Sequence, residues 1–280
     1  MTIFFFNPCR NGDIHVSRTY IMDIMRKLPN NEYYYIQNAN YTSGFILKDI
    51  PNLKLSYNIN NLDPNISILN IGNTLYINTW YGQSNFKYFN ESYSKNKADY
   101  CSFYILYNIF IDVYKYLDIS IESFEYYFPI INYENINFSK IDAFLSNYTY
   151  DKNILICNNN VFSGQSVNFS FDAVVDYISD KYKNYSFILT NYSNINKSNI
   201  YYTNDIINIS SDLNEISYLS NYCDIIVGRG SGPYTFSITN VNLLNPDKTF
   251  ISFTNKKIIS LGLNDDDYKC NLEWSNNYDL

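Results

Sequence analysis

A turn rich in glycine, with one arginine and one serine, is the segment of the sequence best suited to binding an anion. It follows an apolar run that predicts a buried strand, and it consists of Gly228, Arg229, Gly230, Ser231, Gly232 and Pro233. Glycines let a ligand approach the backbone, and backbone N–H groups at a helix start attract phosphate. Arg229 can bind a phosphate through two hydrogen bonds. The turn therefore predicts a diphosphate site, while a purely structural turn is the alternative.

A second loop places an acid and the only histidine of the chain at the start of a predicted helix. After the apolar run 3–6 come Asn11, Gly12, Asp13 and His15. Asp13 or His15 could accept a proton from a substrate hydroxyl as a general base. A helix start stabilises the ionised form of Asp13, which weakens it as a base, and the same position suits a carboxylate that only caps the helix. The residue types leave these alternatives open.

Two further segments could contribute to binding. The polar loop 158–170 contains Ser163 and Gln165 and follows another predicted strand, so it could face the same ligand from a neighbouring strand. Trp80 ends a predicted strand of the first half of the chain, where its ring could stack on a sugar. Packing of Trp80 in the hydrophobic core is the alternative.

The predicted strands and helices form two alternating series along the chain, and these elements must position the loops described above. Apolar runs and helical periodicity predict a first series and then a second series that begins near residue 151. The first comprises strands at 3–6, 33–37, 66–71 and 75–80 and helices at 20–28 and 101–117. The second comprises strands at 153–157, 185–190, 224–228 and 249–253 and helices at 171–178 and 213–222. We therefore expect two α/β domains with parallel sheets flanked by helices, at residues 1–145 and 146–280.

Charge, cysteine spacing and aromatic content limit what kind of protein we expect. With 20 Lys and Arg against 27 Asp and Glu, the 280-residue chain has a net charge of −7, which disfavours a nucleic-acid partner. Its five cysteines are widely spaced, with no pair or histidine cluster for a metal, and they predict buried thiols in the cytoplasm. The 31 Tyr and 19 Phe accompany many Asn and Ile residues, a bias typical of AT-rich codons rather than of a dedicated aromatic binding surface.

Two motifs give the chain a resemblance to a known family. Gly12-Asp13 before a helix, together with a late strand that ends at Gly228 and leads into Ser231-Gly232-Pro233, resembles the ADP-heptose:lipopolysaccharide heptosyltransferases. The resemblance covers mainly residues 1–28 and 151–240. It implies a GT-B-like fold of two Rossmann-like domains, with the acceptor side in the first and the nucleotide sugar in the second.

The resemblance also implies a function. It implies a bacterial glycosyltransferase of cell-surface glycan biosynthesis that needs no cofactor or metal and inverts the anomeric centre. Asp13 would be the base, and the donor would be held by the 228–233 turn with Ser163 and Gln165. Asn11, Gly12 and Trp80 would contact a glycan or lipid-linked acceptor, with a peripheral contact to the inner membrane surface.

Three positions depart from the pattern of this family. Gly230 stands where the family has Asp, Thr235 where it has His, and the neighbourhood of Gln165 lacks its usual Lys. These departures leave two other readings open: a non-catalytic nucleotide or glycan binder that kept the fold, and a fucosyltransferase-like GT-B enzyme in which Arg229 is the main phosphate contact.

Overall fold

The computed structural model describes residues 1–7, 10–37, 45–57, 62–63, 66–80, 102–120, 128–147, 149–162, 164–209, 212–263 and 265–276. Contacts divide the chain into two compact units, residues 1–132 and 133–280. This division falls before the boundary that we expect from the sequence at 145/146. The helix Ser139–Ser146, which begins between these two boundaries, belongs to the second unit. Phe138, just before this helix, stacks on Tyr218 with ring centroids 3.9 Å apart.

The first unit is built on a five-stranded sheet. Its elements are β1 (Thr2–Phe6), α1 (Asn11–Lys27), β2 (Glu32–Ile36), β3 (Leu53–Ser56), β4 (Ile68–Ile71), β5 (Thr74–Asn78) and α2 (Ser102–Tyr116). The strand order is β3-β2-β1-β5-β4, and every neighbouring pair is parallel except the hairpin β4–β5. Gly72 turns this hairpin with φ +62°, a conformation that glycine adopts readily. The order reverses between β1 and β5, which makes that place the switch point of the sheet.

Aromatic residues pack across this sheet. Phe4 on β1 is in register with Tyr34 on β2 and Tyr76 on β5. Its ring stacks on both, with centroids 4.9 and 5.1 Å away. Behind the sheet, Tyr20 of α1 stacks on Phe110 of α2 at 4.5 Å. At these positions the aromatic residues serve packing between strands and helices.

A buried ion pair fixes α1 to the chain that follows β2. The guanidinium of Arg18 donates to the carboxylate of Asp49 at 2.7 Å, and both side chains are fully buried. The same carboxylate accepts the backbone N–H of Asn132. Since a buried charge needs a partner, these contacts tie three distant segments of the unit together.

The second unit contains a six-stranded sheet in which every neighbouring pair is parallel. Its elements are α3 (Ser139–Ser146), β6 (Lys152–Cys157), α4 (Asp172–Lys181), β7 (Tyr185–Leu189), β8 (Ile200–Tyr202), α5 (Thr203–Ile206), α6 (Leu213–Ser220), β9 (Ile225–Gly228), α7 (Gly232–Phe236), α8 (Asn240–Leu243), β10 (Thr249–Phe253), α9 (Lys257–Leu261) and β11 (Asn271–Ser275). The strand order is β11-β10-β9-β6-β7-β8. Two mostly parallel sheets flanked by helices confirm the predicted fold class.

Apolar side chains of α4 and of the central strands form the core of this unit. Val175 of α4 packs with Ile156 and Phe187 from β6 and β7. Asp212 caps α6 by accepting the N–H groups of Asn214 and Glu215.

Within the ranges given above, no helix combines the length and the apolar character needed to cross a membrane.

Candidate functional site

The switch point of the second sheet lies between β6 and β9. Cys157 at the end of β6 is in register with Gly228 at the end of β9. The chain leaves β6 toward β7 on one side, while β9 continues toward β10 on the other. Loops that leave such a point in opposite directions open a crevice at the carboxyl edge of a parallel sheet, where ligands bind. Two of the predicted segments, the loop 158–170 and the turn 228–233, therefore start at one crevice.

Gly228 is required by the spacing of these two strands. A Cβ atom at this position would lie 2.8 Å from Cβ of Cys157 and 3.0 Å from the ring of Tyr234. Carbon atoms do not approach so closely without displacement. The glycine thus lets β9 and the start of α7 pack against the end of β6.

Arg229 is buried, with 1% of its surface exposed, and it binds the loop after β6. Its guanidinium nitrogens donate to four backbone carbonyls of that loop, those of Asn158, Asn159, Val167 and Phe169, over 2.7–3.4 Å. The guanidinium also lies 4.8 and 5.1 Å from the ring centroids of Phe169 and Phe171. Burial lowers the pKa of Arg229 from its ordinary value, although arginine remains a cation in proteins.

These contacts give Arg229 a role that differs from the predicted one. A guanidinium that already donates to four carbonyls has little capacity left for a diphosphate. Direct contact between Arg229 and a donor stays a prediction, and the geometry instead makes Arg229 a clamp on the loop. Sequence analysis missed this role because it could not show which backbone carbonyls surround Arg229.

Ser231, in the turn that begins at this switch point, has a buried hydroxyl group. It lies just before α7 and is 4% exposed, and its Oγ has no hydrogen-bond partner among the residues that the structure describes. A buried hydroxyl without a partner costs free energy, so such an atom commonly marks a place for a water or a ligand.

Glycines and a glutamine complete the wall of the crevice. Oε1 of Gln165 lies 3.4 Å from the position that a Cβ of Gly230 would occupy, so the predicted loops meet here. Gly232 begins α7 against Leu213, with Pro233 as the next helical residue. Ser163, also predicted to bind the donor, lies outside the described residues.

A third loop, which follows β10, contacts the loop after β6. Sequence analysis did not identify it. Its Asn255 donates from the backbone to the carbonyl of Gln165 at 2.9 Å and from its side chain to the carbonyl of Gly164 at 2.6 Å. Ser166 donates to the carbonyl of Phe253 at 2.6 Å. The segment is polar and contains no glycine or motif that would have drawn attention to it.

In the first unit, Asp13 lies in the first turn of α1 and is partly exposed. Its carboxylate accepts the backbone N–H of Arg10 at 3.2 Å, as expected of a residue that stabilises a helix start. His15, two residues further into the helix, is fully buried. An acceptor hydroxyl could therefore reach Asp13 more readily than His15.

The predicted acceptor residues lie at the switch point of the first sheet. Asn11 and Gly12 begin α1 after β1, and both are partly exposed. Trp80 follows β5, the neighbour of β1 in the sheet, and its backbone N–H donates to Oδ1 of Asn78 at 2.9 Å. Trp80 is also partly exposed, so it is not fully buried in the hydrophobic core.

Possible metal ligands and thiols can be located among the described residues. In the described portion of the chain, no three His, Cys, Asp or Glu side chains are grouped so that they could hold a metal ion. Cys157, Cys223 and Cys270 are buried free thiols. Burial raises the pKa of Cys270 to about 11, which keeps this thiol protonated at neutral pH.

Comparison with solved structures relates the fold to known glycosyltransferases. A glycosyl transferase of family 9 from Veillonella parvula matches with a TM-score of 0.51 at 10% identity, over 99% of this chain and 88% of that one. The E. coli ADP-heptose LPS heptosyltransferase II gives 0.51 at 11%, over 98% and 92%. The E. coli heptosyltransferase WaaC, solved with ADP-2-deoxy-2-fluoro heptose, gives 0.50 at 8%, over 98% and 93%.

These matches show that the chain shares the GT-B fold of the heptosyltransferase structures. They agree with the resemblance carried by the Gly12-Asp13 and Ser231-Gly232-Pro233 motifs. No protein-family model matches the sequence. No curated protein matches it significantly either.

Proposed function

We propose that the chain is a glycosyltransferase that moves a sugar from a nucleotide-diphosphate donor to a hydroxyl of a glycan or lipid-linked acceptor. The observation that carries the proposal is the buried Oγ of Ser231, which has no partner among the described residues and lies at the switch point of a parallel sheet. Diphosphates bind at such points, where the backbone can approach them. The fold shared with heptosyltransferase structures supports the same class of reaction.

In this proposal the second unit binds the donor. Ser231 and backbone N–H groups of the Gly230–Gly232 turn donate to the diphosphate and stabilise the negative charge that it gains as it leaves. Gln165 forms the opposite wall of the crevice. Arg229 acts through the loop that it holds rather than by contact with the donor.

The first unit supplies the base. Asp13 accepts the proton of the acceptor hydroxyl while its oxygen attacks the anomeric carbon. The bond between that carbon and the diphosphate oxygen breaks, and the electron pair leaves with the diphosphate. A single displacement of this kind inverts the anomeric centre and needs no metal ion. Trp80 offers a ring on which an acceptor sugar can stack.

The biological setting of the reaction follows from the resemblance. We propose that the protein acts in the cytoplasm of a bacterium in the synthesis of cell-surface glycans. A lipid-linked acceptor would then be met at the inner surface of the membrane.

The donor site is tested by ligand-induced thermal stabilisation. The midpoint of unfolding is measured with ADP, GDP, UDP, CDP and their sugar derivatives for the wild type, Ser231→Ala and Ser146→Ala. The last variant is the control, because Ser146 is exposed on α3 and donates to the carbonyl of Asp142 within the same helix. Binding to the native state alone raises the midpoint.

We expect at least one nucleotide to stabilise the wild type and the control. Ser231→Ala should bind this nucleotide roughly tenfold more weakly, because it loses a hydrogen bond to a charged group. If no nucleotide stabilises the wild type, the proposed function is wrong. If Ser231→Ala binds as tightly as the control, the assignment of the donor to this turn is wrong.

A non-catalytic nucleotide or glycan binder is the second candidate. The capping contact between Asp13 and the N–H of Arg10 favours it, because that contact gives the carboxylate a structural reason to be present. The two candidates differ in whether the sugar of a bound donor is ever transferred or hydrolysed.

A further inference from the structure

Gly230 has neither of the structural reasons that explain two other glycines of the chain. Gly72 turns a hairpin with φ +62°, and Gly228 leaves no room for a side chain, because a Cβ there would lie 2.8 Å from Cβ of Cys157. The φ angle of Gly230 lies outside the left-handed region that favours glycine. Among the described residues, a Cβ at position 230 would meet only one atom within 4 Å, the side-chain oxygen of Gln165 at 3.4 Å. The fold itself would therefore accept alanine at this position.

The space beside Gly230 adjoins the hydroxyl group to which we assign the diphosphate. Ser231 is the next residue, and its buried Oγ has no hydrogen-bond partner among the described residues. Gly230 itself is partly exposed, so a ligand can enter this space from solvent. A glycine that neither backbone conformation nor packing requires is typical of a place where a ligand approaches the main chain.

We propose that the sugar of the donor lies in the space beside Gly230, and that this glycine determines which sugars fit. The inference rests on the proposed function, because it concerns the same donor. In a nucleotide sugar the anomeric carbon is bonded to the diphosphate, so the sugar must lie next to a phosphate held by Ser231. A side chain at position 230 would fill volume that the sugar needs, whereas glycine leaves this volume open.

The atom that bounds this space suits a sugar better than a phosphate. The side-chain oxygen of Gln165 is partly negative and can only accept hydrogen bonds. The oxygens of a diphosphate are also acceptors, so an amide oxygen repels them. Sugar hydroxyl groups both donate and accept hydrogen bonds, so the same oxygen does not exclude them. The polarity of this wall therefore favours the sugar at Gly230 and the diphosphate at Ser231.

Gly230 and Gln165 belong to the positions at which the sequence departs from the heptosyltransferase pattern. The family has Asp where this chain has Gly230, and a Lys in the neighbourhood of Gln165. The structure brings the two departures together, since the side-chain oxygen of Gln165 lies 3.4 Å from the Cβ position of Gly230. A hydrogen atom and a neutral amide thus replace two charged side chains. The proposed sugar site is therefore a feature of this chain rather than of the family pattern.

The test is calorimetric titration of full-length wild type, Gly230→Ala and Gly230→Val. The probes are the nucleoside diphosphate that stabilises the wild type most and its glucose and N-acetylglucosamine derivatives. We expect the wild type to bind at least one of the two sugar derivatives. Gly230→Ala should bind this derivative about fivefold to tenfold more weakly, and Gly230→Val more weakly still, because the added side chain takes up space that the sugar needs. The affinity for the diphosphate alone should not change.

Gly164→Ala is the matched control. It adds the same methyl group to an exposed glycine of the neighbouring loop, where no described atom lies within 4 Å of a Cβ, and it should bind every probe as the wild type does. The unfolding midpoint of each variant is measured by circular dichroism. Since the backbone at position 230 is compatible with alanine, Gly230→Ala should unfold at the same temperature as the wild type or slightly above it.

The outcomes separate the inference from the function on which it rests. If the wild type binds neither the nucleoside diphosphates nor their sugar derivatives, both are wrong. If it binds a diphosphate but neither sugar derivative, or if Gly230→Ala binds the sugar derivative as tightly as the wild type, only the inference is wrong. An equal loss of affinity for the diphosphate and the sugar derivative would overturn it too, because the space would then hold the diphosphate. A lower unfolding midpoint of Gly230→Ala would give the glycine a structural reason and would also overturn the inference.

Discussion

The guanidinium of Arg229 donates to the backbone carbonyl of Phe169 at 2.7 Å and lies 4.8 Å from the centre of that residue's ring. A single side chain therefore binds both the backbone and the side chain of one residue in the loop after β6. Cation–π contact and hydrogen bonding act together here because the site is buried. The shape of the proposed donor crevice depends on this contact.

Replacing Arg229 should destabilise the protein. Arg229→Met keeps most of the apolar volume but leaves the carbonyls of Asn158, Asn159 and Phe169 without their donor, which we expect to cost about 2–4 kcal/mol. Urea unfolding measures this loss, with Arg10→Met, at an exposed site, as the control. A stability equal to that of the control would show that Arg229 does not hold the loop.

Replacing Gly228 should also destabilise the protein. Gly228→Ala places a methyl group 2.8 Å from Cβ of Cys157, and the strands must separate to admit it, at a cost of about 1–3 kcal/mol. Gly164→Ala is the matched control, because no atom lies within 4 Å of a Cβ at that position. Differential scanning calorimetry should show a lower midpoint for the first variant only, and equal midpoints would contradict the tight approach.

The thiol of Cys223 should make stability depend on pH above 9. Burial raises its pKa to about 12, against an ordinary value of 9.0, and the thiol donates to the carbonyl of Leu219. Between these values the unfolded chain loses a proton that the native protein keeps. The stabilisation from the neutral thiol is therefore complete below pH 9 and is lost as pH rises toward 12.

The measurement for Cys223 is a comparison of unfolding free energies with Cys223→Ala from pH 7.5 to 10.5. The advantage of the wild type should shrink above pH 9 by up to about 1.4 kcal/mol per pH unit. A difference that does not change with pH would refute the shift. Iodoacetamide should also modify the native thiol far more slowly than the unfolded one.

Replacing Asp13 distinguishes a base from a cap. Asn accepts a hydrogen bond at a helix start as Asp does, so Asp13→Asn should keep the unfolding midpoint while it lowers donor turnover by about 10²–10⁴-fold. Turnover is followed as release of nucleoside diphosphate, with Asp13→Ala as the variant that loses both roles. Full turnover in Asp13→Asn would exclude Asp13 as the base. A wild type that binds donor without any turnover would favour the non-catalytic candidate.

Long apolar runs made much of the architecture predictable. The strand predicted at 153–157 is observed at Lys152–Cys157, where the consecutive apolar residues Ile154–Cys157 are all buried, as in a strand covered on both faces. The strand β11, Asn271–Ser275, was missed, since it lies at the edge of the sheet and carries polar residues. The antiparallel pairing of β4 and β5 was missed too, because a strand pattern does not specify the direction of its neighbour.

The candidate site was predictable in its residue types but not in their contacts. The composition of the 228–233 turn pointed to an anion site, and the structure places that turn at a switch point. The partners of Arg229 could not be inferred, because they are backbone carbonyls 60 to 71 positions earlier in the chain. Contacts of that kind depend on how a loop folds and leave no pattern in side-chain identity.

The two tryptophans of the chain give each unit its own intrinsic fluorophore. Trp80 belongs to the first unit and Trp274, bonded through its indole N–H to Thr254, to the second. In Trp80→Phe the emission reports on residues 133–280 alone, and in Trp274→Phe on residues 1–132 alone. The order in which the halves lose structure, and which half a sugar nucleotide protects, can thus be followed optically without attached labels.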